Sequence, residues 1–384
     1  MKTQIEQLDR RLGWQWLPEL TSWTIEQALA IQQIPAPTFH EAQRAAYVAS
    51  QFSALNLAEV SIDERYNVYG LLRGQHPDAP GILVLAHTDT VFPADTDLAT
   101  RVDGGLIYGP GLGDNSIGVA GLLGLARAWT MGDSVPERNI WLVATSREEG
   151  LGDLGGIKVV FERLKSHIQQ VINVEGLAFG HVYHAGIAVR RLHISAAAEG
   201  GHSWLHFGRP SAIHGLIDLG ARINALQPPQ SPRTTYNIGI IEGGNGINVI
   251  ASHASFWLDL RSEDSAVLAP FEVQVRDLVN ASSTPDLSFS IEVVGDRPAG
   301  SISPDHPLVQ NALAVLAQLN VAGRLETGST DGNVPLAAGC PAVTIGITRG
   351  GNAHRVDEYI ETEPVALGLR QLILLALASA EKSF

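Results

Sequence analysis

From residue 67 to 176 the chain alternates short, continuously apolar runs with stretches of helical periodicity. The runs are NVYGLLRG (67–74), GILVLAH (81–87), NIWLVATS (139–146) and QVINVEG (170–176). Between them lie residues 116–130, rich in Ala, Leu and Gly, and GIKVVFERLKSH (156–167). Runs without polar alternation predict strands buried on both faces, and their alternation with helices predicts a largely parallel α/β sheet. Upstream, residues 24–55 predict two helices separated by IPAP, with Thr24-x-x-Gln27 and Thr38-x-x-Glu41 as capping boxes.

The rhythm changes near residue 186. VRRLHISAAAE, TTYNIGIIEGG, VIASHASFWLDLR and LSFSIEVVG read as strands, and SAIHGLIDLGARINAL and AVLAPFEVQVRDLVNAS as helices. Their order, β-α-β-β-α-β, is the split βαβ pattern of a ferredoxin-like α+β domain. The α/β rhythm then resumes with a helix at 307–319, the strand PAVTIGIT and a helix at 363–381. The predicted organisation is a larger domain in two parts, 1–185 and 298–384, with a smaller domain inserted at 186–297.

The 384 residues suit two domains, and 45% apolar against 17% charged residues gives ample core and argues against disorder. A formal charge of −14 disfavours nucleic acid and anionic membrane as partners, since both need a basic face. No apolar run reaches the roughly eighteen residues that a spanning helix needs. The N-terminal MKTQIEQLDRRLGWQW carries no run of signal-peptide type. The expectation is a soluble, cytoplasmic protein. The single cysteine, Cys340, excludes an internal disulfide and any multi-cysteine metal site. A tightly bound metal must then be held by His, Asp and Glu.

Such residues follow the apolar strands. GILVLA runs into His87-Thr88-Asp89, NIWLVATSR into Glu148-Glu149, QVINV into Glu175, and PAVTIGIT leads through a Gly-rich turn to His354. Asp114 lies in GPGLGDN, a glycine-dense loop before a helix. In an open parallel sheet the C-terminal strand ends share one edge, where ligands bind, so these residues are expected to converge. Two histidines with several carboxylates suit Zn²⁺, Mn²⁺ or Co²⁺. Taken singly, each has a plainer reading, as a loop pair, a solvated turn or a helix cap. Their joint placement at successive strand ends favours metal.

Two rival motifs are weaker. Gly150-Leu151-Gly152-Asp153-Leu154-Gly155 fits the G-x-G-x-x-G of a dinucleotide-binding oxidoreductase, but Glu148 and Glu149 directly before it would repel a pyrophosphate. Gly201-His202-Ser203-Trp204-Leu205 lacks the closing glycine of a serine-hydrolase elbow.

Together HTDTVFP, GPGLGDNSIG, REEGLGDLGG, INVEG and NAHRVDE resemble the metal-site motifs of the M20 (M20/M25/M40) metallohydrolases. That family includes tripeptidases, carboxypeptidases and succinyl-diaminopimelate desuccinylases. The resemblance spans nearly the whole chain, from IPAPTFHE onward. It implies a zinc-peptidase-like catalytic domain, mostly of parallel sheet, with an inserted ferredoxin-like lid or dimerisation domain, and a homodimer. It implies two divalent metal ions per chain, zinc foremost and manganese or cobalt as alternatives. His87 and Glu175 would bind one, Glu149 and His354 the other, and Asp114 both. Asp89 would hydrogen-bond the His87 imidazole and Glu148 would be the general base. A non-enzymatic relative should lack a ligand or the base, and this sequence keeps all of them.

GGHSWLHFGRPSAIH resembles the segment whose histidine stabilises the oxyanion, a role that falls to His202, with a surface histidine as the alternative; His206 and His214 are read as structural. Asn248 and Arg261 match positions that bind the substrate carboxylate, although Arg261 also suits a strand-end salt bridge. Ser329 and Thr330, in ETGSTDGNVP, resemble the substrate loop, with a plain Gly-rich turn as the alternative and Asp331 as structural. Two departures are visible: Ala251 where proline is common, and Arg355 where a small Ser is usual after the histidine. Neither removes a ligand, and Arg355 bears on substrate choice. The expected activity is hydrolysis of an amide in a short peptide, with N-acyl amino acids as the alternative substrates.

Overall fold

A computed structural model describes residues 2–131 and 135–381. The chain divides into two compact units, one running up to Gly186 and again from Gly300, the other spanning Ile187–Ala299.

The first unit is built on a nine-stranded sheet. At its centre Ile140–Thr145, Gly81–His87, Ile168–Val174 and Ala342–Ile345 lie side by side and parallel. Ala58–Ile62 pairs antiparallel with Val68–Leu72, which pairs antiparallel with Ile140–Thr145, so the predicted strand at 67–74 runs against the central direction. On the other side His181–Gly186 runs antiparallel to Ala342–Ile345. Successive side chains enter opposite layers, as a pleated strand requires. Ile82, Val84 and Ala86 pack under the helices Leu17–Gln32, Ile117–Met131, Pro307–Gln318 and Val365–Ala380. Leu83 and Leu85 pack with Ile157, Val160 and Phe161 of the helix Gly155–Leu164.

Neither capping box forms. Thr24 lies mid-helix and donates to the Leu20 carbonyl at 2.8 Å, because the helix starts a full turn and more earlier, at Leu17, with Pro18 in its first turn. Thr38 donates instead to Asp89 Oδ2, and Glu41 directly precedes the helix Ala42–Ala54. The G-x-G-x-x-G stretch forms a tight turn, Gly150–Gly152, before Gly155–Leu164.

A small second sheet went unpredicted. It orders Gly350–Gly351, Tyr359–Glu361, Leu106–Tyr108 and Arg101–Asp103, all antiparallel. The glycine-dense loop leaves this sheet after Tyr108, and the loop carrying His354 lies between two of its other strands.

The second unit is a four-stranded antiparallel sheet in the order Thr234–Gly243, His253–Ser262, Ala188–Ala198, Leu287–Arg297. In chain order that is 2-3-1-4, the ferredoxin-like arrangement. The helices Ala212–Asn224 and Ser265–Ser282 bury Leu216, Leu219, Phe271 and Val275 against Leu192, Ile194, Phe256 and Leu258. Among the described residues, no helix is long and apolar enough to cross a membrane.

Candidate metal centre

His87 ends the strand Gly81–His87, and Glu175 directly follows Ile168–Val174. Thr88 N–H donates to the Thr145 carbonyl at 2.7 Å and Glu175 N–H to the Ile345 carbonyl at 2.9 Å, so the ladders hold beyond the named strands. Arg44, buried beneath, donates to the carbonyls of Ile34 at 3.0 Å and Thr88 at 2.7 Å and fixes the chain leaving His87. Asp114 lies in the bend before Ile117–Met131, and its peptide to Asn115 is cis.

These side chains converge. His87 Nε2 stands 3.0 Å from Asp114 Oδ1 and 3.5 Å from Glu175 Oε2. His354 Nε2 stands 3.1 Å from Asp114 Oδ2 and 3.1 Å from Glu149 Oε1. A further group joins His87, Glu148 and Glu149, with one ligand atom from each within 4.8 Å of the others. The cluster is graded from His87, 2% exposed, to His354, 53% exposed. It is therefore rooted in the sheet and open on the His354 side.

Its electrostatics are those of a cation site. Burial works against charge on His87, yet Glu175, Asp114 and Asp89 raise its pKa well above the ordinary value. His354 is pushed up to about 10 by its bonds to Asp114 and Glu149. Burial opposes ionisation of Asp114, but the two imidazoles outweigh it and hold the carboxyl well below its usual range. Among the described residues, no lysine or arginine pairs with Asp114, Glu149 or Glu175. Imidazole nitrogens this close to carboxylate oxygens need a proton or a cation between them. Nitrogen and oxygen donors of this kind fit a divalent transition metal.

Asp89 organises the surrounding backbone. Its Oδ1 accepts the Glu148 N–H at 2.9 Å, and its Oδ2 accepts the Glu149 N–H at 2.9 Å and the Thr38 hydroxyl at 2.8 Å. The His87 Nδ1 lies 3.1 Å from the Asp89 main-chain oxygen and 3.6 Å from its carboxylate. The imidazole is thus met first by the carbonyl, while the carboxylate ties two ligand segments together. Buried Glu41 adds a second tie, accepting the N–H groups of Phe39 and Arg147, both at 3.0 Å.

Residues 83–378 match the model of Peptidase family M20/M25/M40. The chain belongs to this family. It is similar to a succinyl-diaminopimelate desuccinylase of Corynebacterium glutamicum, 24% identical over 343 residues, which cover 86% of this chain and 90% of the relative. It is also similar to a probable carboxypeptidase of Aspergillus flavus, 28% identical over 312 residues covering 71% of each. Among solved structures, a tripeptidase of Staphylococcus aureus shares the fold at a TM-score of 0.77 and 21% identity, covering 94% of this chain and 98% of that one. A dinuclear metal-binding M20 peptidase of Bacillus subtilis shares it at 0.67 and 15%, covering 94% and 99%. The M20 chain is accordingly a hydrolase of a metal-dependent family, and its His and carboxylate groups could hold metal.

In the first unit of this M20 hydrolase, Ser329 and Thr330 directly follow the strand Arg324–Gly328. Thr330 shares its hydroxyl with Thr344 at 3.1 Å and accepts the Gly332 N–H at 3.2 Å, as a turn residue does; Ser329 beside it is half-buried. Asp331 is buried, accepts the Thr145 hydroxyl at 2.6 Å, and is pushed by burial up to about 7. In the inserted unit, exposed His202 pairs with Val249 in a short ladder next to exposed Asn248. Arg261 holds Asp259 through Nε at 2.7 Å.

Sequence reasoning passed over three further features. A cavity of about 240 Å³ beside Asp114 and Glu175 is lined by Leu177, His181, Tyr183 and Ala353 as well. Glu41 was assigned to a helix cap, and Glu358, inside the NAHRVDE motif, received no role. The amides of Arg147 for Glu41, and of Gly111, Gly113 and Asp114 for Glu358, lie far along the chain and leave no mark on composition or spacing.

Proposed function

We propose that the chain is a metal-dependent amide hydrolase acting on a short peptide, with two divalent ions, zinc by preference, in the cluster. Asp114 carries the reading: one of its oxygens faces His87 at 3.0 Å and the other faces His354 at 3.1 Å. On this reading His87 and Glu175 would hold one ion and Glu149 and His354 the other, with Asp114 available to both. Ions held there would polarise the scissile carbonyl and acidify the attacking water.

The remaining work falls to the chain. Glu148 takes the proton of that water and returns it to the leaving amine as the C–N bond breaks. Its N–H donates to Asp89 Oδ1 at 2.9 Å, a backbone contact that supports this role. His202 serves as the oxyanion donor. Its Nδ1 accepts from the N–H groups of Trp204 at 3.2 Å and Leu205 at 3.4 Å, which puts the proton on Nε2. Asn248 and Arg261 receive the substrate carboxylate. Arg261, with Nε and Nη2 on Asp259, has Nη1 to offer. Ser329 and Thr330 complete the substrate contacts. The chain acts as a homodimer through the inserted unit, which exposes Trp204 and Phe207 at 83% and 92%.

A second reading, deacylation of N-acyl amino acids, is favoured by the likeness to the desuccinylase over 86% of the chain. The test is a panel of di- and tripeptides against N-acetyl and N-succinyl amino acids, with Zn²⁺, Mn²⁺ or Co²⁺ added. Cleavage of peptides is the expected result. Cleavage of the acyl amino acids alone transfers the assignment to the second reading, and hydrolysis that survives exhaustive chelation refutes both. Light scattering reports the dimer.

A further inference from the structure

Glu358 stands four residues after His354, is buried, and has no part in the chemistry above. Its carboxylate accepts three main-chain bonds from the loop that carries Asp114. Oε1 takes the N–H of Gly113 at 2.6 Å and of Asp114 at 2.7 Å, and Oε2 takes that of Gly111 at 3.1 Å. Its own carbonyl accepts the Gly109 N–H at 2.8 Å, which continues the small sheet toward the same loop. The loop is shaped around this carboxylate. Gly111 adopts a φ of +69°, and a side chain on Gly113 would meet Glu358 Oε1 at 2.8 Å. One short segment therefore reaches Asp114 twice: His354 touches its carboxylate and Glu358 holds its amide.

A loop that needed only an anchor could be fixed by ordinary backbone pairing. A two-oxygen acceptor that collects N–H groups from three residues does more, because it sets the path of the chain up to the Asp114 Cα. We propose that Glu358 is a positioning residue which places the Asp114 carboxylate between its two histidines, so that metal capture depends on it. This rests on the metal reading above. A glutamine at 358 keeps one acceptor and turns an NH₂ toward a backbone donor, which breaks the three-bond pattern without emptying the site.

The test compares metal-free wild type, Glu358→Gln and Glu358→Asp. Zn²⁺ is titrated against a chromophoric chelator, Co²⁺ is followed by its visible spectrum, and each metal-free protein is melted. Glu358→Gln is expected to weaken Zn²⁺ binding about 10–100-fold, the usual effect of losing a group that orients a ligand. It should also alter the Co²⁺ spectrum, while its metal-free melt stays cooperative and Glu358→Asp recovers part of the affinity. With metal saturating, kcat should fall and KM stay within about twofold. Wild-type binding by Glu358→Gln overturns the proposal and leaves the metal reading intact; a wild type that binds no ion overturns both. Should Glu358→Gln not fold, Glu358→Asp decides: weakened Zn²⁺ binding with a cooperative metal-free melt supports positioning, and unchanged affinity refutes it.

Discussion

Replacing Asp89 by asparagine probes the backbone tie between the two ligand segments. The carboxylate is fully buried and accepts three bonds at 2.8–2.9 Å, from Thr38, Glu148 and Glu149. Asparagine keeps one oxygen and presents an NH₂ in place of the other. In either flip, Glu148 or Glu149 loses the acceptor of its N–H. A hydrogen bond to a charged group contributes about 1.5–3 kcal/mol, and a stranded buried N–H costs about 1–3 kcal/mol. Taking about 3 kcal/mol for the combined loss, the population with Glu148 and Glu149 correctly aligned falls by about two orders of magnitude. The measurement is kcat and KM for Asp89→Asn at saturating metal, with metal-free melts alongside. An approximately 100-fold loss in kcat is expected. Thr38→Val, which removes one neutral donor and leaves both backbone bonds, should lose less than about tenfold. If Asp89→Asn retains kcat within about threefold of wild type, or if the two variants lose equally, the tie does not organise the site.

Glu148→Gln should reduce turnover about 10²–10⁴-fold while Zn²⁺ stoichiometry is unchanged, as read by elemental analysis of the purified variant. His202→Ala should lower kcat about 10²–10³-fold and leave metal content and melting intact. Asp9→Asn should destabilise the fold by about 1.5–3 kcal/mol in chemical denaturation, since it disrupts the bonds to Arg370 at 2.6–2.9 Å and to Gln318 at 2.9 Å. Burial opposes ionisation of Asp9, but Arg370, Gln318 and Trp14 hold it below its ordinary 3.8. The stabilisation is therefore present above that value and is lost as pH falls through the lower native one, so below about pH 4 the wild-type advantage over Asp9→Asn should shrink.

How much of this was legible in the sequence depends on how far each residue's partner lies along the chain. The central strands were readable because burial on both faces makes them apolar throughout, as in GILVLAH, and their ends announced the cluster. The antiparallel course of Val68–Leu72 was not readable, since a strand buried on both faces looks the same in either direction. The small sheet escaped because its strands are two or three residues long and too short for any period. Thr38 and Glu41 illustrate the limit at the site. Their spacing satisfies a capping box, yet Asp89 and the Arg147 amide, 51 and 106 residues away, compete for the same oxygens and win. Long-range polar bonds of this type are settled by the fold as a whole.

Gly186, the last residue before the inserted unit, faces Gly300, the first residue after it, across an antiparallel pair. Such neighbours sit roughly 5 Å apart, a gap that a hairpin turn of a few residues closes. The 113 residues of Ile187–Ala299 thus occupy the place of a hairpin tip, the type of position where additions are best tolerated. A short turn joining Gly186 to Gly300 would preserve the pairing that the inserted unit now spans.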